Sequence, residues 1–202
     1  MLNYQNFLIH SATTPIFVTD KTSINLLVSI IKDSDYINFI ENTNGGYFYD
    51  FSLHLYGISP EKYNDVFQVN AILAEKCSVW QKSFFSIGQD IFGNQFVFSG
   101  NDLLFLNLET GESEMIANSF LEWIEVISEN IAYFSGWAFS KLLSNKQGVR
   151  LCPKLSFVLG GEYKEENLYS MPFPKYLQYY SDIEKQIRDL PDDTEFEISV
   201  MD

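Results

Sequence analysis

The sequence predicts a chain of mixed helices and strands built around an antiparallel meander. Three observations carry that reading. Between Phe84 and Ile116, short apolar runs alternate with glycine-bearing turns. A stripe of Phe120, Trp123, Ile124, Ile127, Ile131 and Phe134 follows at helical spacing. The 202 residues are 46% hydrophobic and 16% aromatic, which suffices for a large buried core and is not a disordered composition.

Along the chain, Leu2 to Thr14 carries no periodic pattern. The run INLLVSII from Ile24 to Ile31 fits either a buried helix or a buried strand. Ser34 to Glu41 reads as a helix, capped by Asp33 or Ser34 and ended by a left-handed residue in Asn44-Gly45-Gly46. Tyr47 to Tyr56 reads as one strand. Phe51, Leu53 and Leu55 take one face, and Asp50, Ser52 and His54 the other. Pro60 to Lys76 reads as helix through Val66, Val69, Ile72 and Leu73.

The meander comes next. Its strands are Phe84–Ile87, Gln95–Phe98, Leu103–Leu108 and Ser113–Ile116. Ser99-Gly100-Asn101-Asp102 and Glu109-Thr110-Gly111-Glu112 turn between them. The amphipathic helix then runs on from a cap at Asn118 or Ser119, and Gly136 breaks it before Trp137–Leu143. Leu155 to Leu159 reads as a buried strand ending at Gly160-Gly161. Ser181-Asp182-Ile183-Glu184 reads as a capping box that opens a helix stopping at Pro191. Phe196, Ile198 and Val200 alternate as a last strand.

The loop SIGQDIFGNQ, Ser86–Gln95, is the most motif-like segment. It fails the calcium-loop pattern at its third position, and it lacks the lysine and helix start of a phosphate cradle. It reads as a tight turn in which Asp90 and Asn94 hydrogen-bond backbone groups. No nucleophile elbow, P-loop or dinucleotide fingerprint is present. The two histidines, His10 and His54, and the two cysteines, Cys77 and Cys152, have no zinc spacing, and the thiols read as free and buried in a reducing compartment. An Asp50–His54 pair would be separated along an extended strand by roughly 13 Å. The expectation is therefore no catalytic, cofactor-binding or metal-ligating residue, and a chain that is not an enzyme.

Charge is more informative. Lys and Arg number 13 against 27 Asp and Glu, a net −14. From Ser83 to Ser140 there are eight acids and no Lys or Arg; from Gly161 to Asp202, eleven acids face four bases. Such a surface repels nucleic acid and anionic membrane. It serves solubility, or a basic protein partner. Three acidic groups are candidate partner contacts: Glu109, Glu112 and Glu114; Glu122, Glu125 and Glu129; and Glu162, Glu165, Glu166, Asp189, Asp192 and Asp193. No run approaches the ~20 apolar residues of a membrane helix, and the start of the chain lacks a signal-peptide pattern. A soluble, cytoplasmic protein is expected.

Taken in order, Asn42-Thr43-Asn44-Gly45-Gly46, Leu53-His54-Leu55-Tyr56-Gly57, Phe85 through Phe96, and Ser119-Phe120-Leu121-Glu122-Trp123-Ile124 resemble the SUKH superfamily. That superfamily joins bacterial toxin-immunity proteins to fungal regulators of cell-wall glucan synthesis. The likeness spans about residues 34–127 and leaves residues 1–33 uncovered. Cys152-Pro153-Lys154 through Asn167-Leu168-Tyr169 resembles an extension carried by some members. The resemblance implies an α+β domain with a central antiparallel sheet flanked by helices. It implies a single domain over 1–202, with its core at about 20–135 and a C-terminal extension at about 136–202 packed on it. It also implies that Gly45, Gly46, Gly88, Asp90, Gly93 and Asn94 are fold-forming positions. The function it implies is neutralisation of a cognate toxin, a basic nuclease or deaminase domain, by direct binding. A non-enzymatic scaffold or regulatory module binding a cellular protein, as in the fungal relatives, is the alternative.

Overall fold

The computed structural model describes residues 4–18, 20–143, 147–188 and 190. Within them the chain is α+β, as expected. Two short helices open it, α1 (Gln5–Leu8) and α2 (Lys21–Ile30). The INLLVSII run is helix because Asp20 accepts the amides of Thr22 and Ser23, which starts the helix just before it. Helix α3 (Ser34–Thr43) is capped by Asp33 and ends on Asn44 in the left-handed region, φ 56°.

The sequence 47–56 is not one strand. It is a hairpin of β1 (Gly46–Phe48) and β2 (Leu53–Leu55), paired Phe48 to Leu53. Tyr49, Asp50 and Phe51 all adopt positive φ, which turns the chain where alternation alone predicts that it runs straight. Helix α4 (Val66–Lys76) starts later than Pro60, because Asp65 accepts the Gln68 amide and fixes the first turn there.

The meander follows as β3 (Phe84–Gln89), β4 (Gln95–Ser99), β5 (Asp102–Leu106) and β6 (Ser113–Ala117). With the hairpin it makes a six-stranded antiparallel sheet in order β1-β2-β3-β4-β5-β6. Phe96 and Phe98 on one face of β4 meet Trp123 and Tyr36. Gln95, on the other face, bonds the Tyr56 and Ser86 hydroxyls, and Asn70 of α4 bonds the Ser86 backbone. With helices over both faces, β3 and β4 are buried almost throughout.

The amphipathic helix is broken earlier than Gly136. It is α5 (Phe120–Glu129), then α6 (Ile131–Ser135), with Asn130 turning its side chain back onto the Val126 carbonyl at the break. A 3₁₀ segment runs from Trp137 to Leu143. Leu155–Leu159 is not a strand: Leu155 is exposed and Phe157–Leu159 is a 3₁₀ turn. The strands of this region are β7 (Val149–Pro153) and β8 (Leu168–Pro172), a separate antiparallel pair.

The Ser181 capping box is also corrected. Helix α7 (Lys175–Ile187) begins six residues earlier, and Ser181 sits inside it with its hydroxyl on the Lys76 carbonyl. Its partner across helices, not its own helix end, occupies that hydroxyl. The last strand expected at 196–200 lies outside the described residues. Tyr176, Leu177, Tyr180 and Ile183 of α7, with Cys152 of β7 and Tyr4 and Phe7 of the N-terminal segment, share one apolar core with the sheet.

Candidate functional site

The Asp90 loop is the turn that its residues suggest. The Asp90 carboxylate accepts the amides of Phe92 and Asn94 at 2.8 Å each, and the Asn94 side chain at 2.9 Å. The loop is roofed by other segments: the Ile91 amide donates to Ser135, and the Ile91 carbonyl accepts from Leu151. Both Asp90 oxygens are engaged within the loop and the residue is buried, and burial pushes its pKa up to about 7.

His54 is fully enclosed. Its ring stacks on Tyr47 with centroids 4.0 Å apart. Its Nε2 lies 2.7 Å from Asn64 Oδ1 and its Nδ1 3.1 Å from Gln89 Nε2, which assigns the neutral Nε2–H tautomer. Tyr176 in turn donates to Gln89. Burial, then the nearby Arg150 charge, drive the His54 pKa well below its ordinary value. The pairing with Asp50 does not form, because the turn sends Asp50 to the surface and His54 inward.

Arg150 is the buried cation of this region, 1% exposed. Its Nη1 donates to the carbonyls of Phe51 and Val149, and its guanidinium carbon lies 5.6 Å from the Tyr47 ring centroid. Its Nε and Nη2 have no hydrogen-bond partner among the described residues. Cys77 and Cys152 are free thiols, both buried, and burial raises both pKa values, to about 11 and about 12. Among the described residues, no cluster of His, Cys, Asp and Glu could hold a metal, and no helix is long and apolar enough to cross a membrane.

The acidic candidates divide. Glu109 is not on the surface. It is 3% exposed, and its carboxylate takes the Ser156 hydroxyl and the Phe157 amide. Burial raises its pKa, and these donors oppose that rise. Glu112 and Glu114 are exposed at the start of the edge strand β6, and Glu122, Glu125 and Glu129 are exposed on α5. Glu122 also accepts the Asn118 amide at 2.7 Å. Glu162, Glu165 and Glu166 are exposed in the loop before β8, where Glu162 pairs with Lys164 at 2.8 Å. Asp189, Asp192 and Asp193 lie outside the described residues.

The structure also presents an open pocket of about 490 Å³ between the N-terminal segment, the β1–β2 turn and α6. Tyr49, Asp50 and Phe51, at φ 48°, 54° and 70°, form the turn. Left-handed backbone at residues with a Cβ costs roughly 1–3 kcal/mol each. Four segments hold it. The Tyr49 amide donates to the His10 carbonyl. The Ser52 hydroxyl lies 3.0 Å from that of Ser135. Arg150 donates to the Phe51 carbonyl, and the Trp137 indole N–H donates to Asp50 Oδ2 at 2.9 Å. The His10 and Tyr49 rings stack at 4.4 Å. Sequence reasoning missed this pocket, since its parts are scattered between residues 6 and 137. The one available signal was an Asp between two aromatics just before Ser52.

The chain matches no protein-family model and no curated protein. Among solved structures it is similar to Atu4351 from Agrobacterium tumefaciens, with a TM-score of 0.62 and 18% identity over 88% of each chain. At that identity the likeness extends to the fold.

Proposed function

We propose that the chain neutralises a cognate toxin, a basic nuclease or deaminase domain, by direct protein–protein binding, and that it acts in the bacterial cytoplasm by occupancy rather than turnover. The observation that carries the reading is the exposed acid of α5 and the strand before it. Glu112, Glu114, Glu122, Glu125 and Glu129 all face solvent in a stretch free of Lys and Arg. Glu129 stands in the last turn of α5, where the helix dipole disfavours an acid by about 0.3–1 kcal/mol. Helix stability does not explain it there, whereas steering of a basic partner does. The ordered likeness to the SUKH superfamily supports the same reading.

The test is co-expression with the protein encoded next to it, scored by growth, then by calorimetry of the purified pair. Rescue with tight, salt-sensitive, one-to-one binding upholds the proposal. A neighbour that is neither toxic nor bound overturns it and favours a scaffold that binds a cellular protein.

A further inference from the structure

The pocket beside the β1–β2 turn combines aromatic rings with a carboxylate, alongside the smaller side chains of Asn6, Ser11 and Ser128. The stacked rings of His10 and Tyr49 and the indole of Trp137 give flat π faces, and Asp50 gives a carboxylate at the mouth. Asp50 Oδ2 takes the indole N–H, which orients an exposed carboxylate. Among the described residues, no Lys or Arg lines the pocket. The rim is apolar and open, with Ile9 77% and Trp137 46% exposed. Trp and Tyr are among the residue types enriched at interface hot spots, which tend to pair with hot-spot residues such as Arg on the partner.

From this geometry we propose that the pocket seats an arginine side chain of the basic partner protein, a proposal that rests on the function given above. A guanidinium is planar, weakly hydrated and always charged, so it stacks on aromatic faces while donating to a carboxylate. An ammonium is a compact, strongly hydrated point charge and uses such walls poorly. A cavity of about 490 Å³ accommodates one such side chain with its stem. The left-handed turn gives the seat its form before the partner arrives. Tyr49 is held by His10 and Asp50 by Trp137, while Arg150 and Ser135 hold the neighbouring Phe51 and Ser52, so little ordering cost is left for binding.

The full chain, labelled with ¹⁵N, is titrated with hexa-arginine and, separately, with hexa-lysine at matched ionic strength. The Trp137 indole N–H signal is identified through Trp137→Phe. The expected result is that hexa-arginine moves that signal and the Tyr49 amide, while hexa-lysine needs about tenfold more peptide. Asp50→Asn keeps a residue that tolerates positive φ and an oxygen for the indole, so the fold stays and arginine binding drops about tenfold. Equal response to both peptides, shifts confined to the α5 glutamates, or an Asp50→Asn variant that binds as before overturns the seat. The peptides report on the pocket without the partner. Loss of arginine preference together with rescue in co-expression therefore removes the seat alone, and arginine preference without rescue upholds the seat and removes the toxin.

Discussion

Asp90 holds its proton far above the ordinary aspartate range, to about pH 7, because burial outweighs the amides and the Arg150 charge that favour the anion. An unfolded aspartate titrates near ~3.9, so between these values the folded chain keeps a proton that the unfolded chain has released. Its contribution to stability is full below about pH 4 and is lost as pH rises through about 7, at up to about 1.4 kcal/mol per pH unit. Denaturation of the native chain and of Asp90→Asn, from about pH 5 to about pH 8, should show the native chain's relative stability falling as pH rises. A flat difference would refute the buried neutral acid. Gly93, three residues on, has φ 89°, and a Cβ there would lie 2.7 Å from the Tyr176 ring. Gly93→Ala should cost about 2–4 kcal/mol in urea denaturation. Gly100→Ala, at φ 66° with open space around it, should cost only about 1–2 kcal/mol. Equal losses would mean that the Tyr176 contact is immaterial. The Asp90 turn was legible in the sequence because its bonds are local. The fate of Glu109 was not, because Ser156 and Phe157 lie 47 and 48 residues away.

Elements were legible where a cap or a glycine marks them, and illegible where a distant partner decides. One cap does double duty. Asp33 Oδ1 accepts the Tyr36 amide at the start of α3, and its Oδ2 accepts the Phe120 amide at the start of α5. Asp33→Ala should therefore cost about 2 kcal/mol, twice a usual cap. Ser119→Ala, which removes a single cap on the Glu122 amide, should cost about 1 kcal/mol. Thermal or urea unfolding of the two variants checks the ratio, and similar losses would deny that the carboxylate joins the helices. By contrast, 47–56 alternates like a strand, yet contacts from His10, Ser135 and Arg150 hold it in a turn. Ser181-Asp182-Ile183-Glu184 has a capping box's letters, but a bond to Lys76, 105 residues away, uses the serine. The pair β7–β8 escaped notice because Leu155–Leu159 is the more apolar run, although its Leu155 and Val158 face water.

For the whole molecule, the α+β class and its antiparallel meander were legible, since strand spacing and one strong amphipathic stripe specify them. How the surface presents itself was not, because a glutamate reads alike whether buried or free. The exposed pair Glu125 and Glu129 tests the surface without disturbing Glu122, which accepts the Asn118 amide. Reversing both to Lys should slow association with a basic partner on the order of tenfold at low salt, with the gap closing as salt rises. Stopped-flow rates that match the native chain at every salt concentration would clear that face. The core itself sets an order in time. Gln89 receives the Tyr176 hydroxyl, and the two stand 87 residues apart. At a ribosomal rate of about 5–20 residues per second, the sheet waits roughly 4–17 seconds for the helix that closes it. During that interval the apolar face of the sheet that the last helix covers stands without its cover, so it is the part of the nascent chain most open to chaperones.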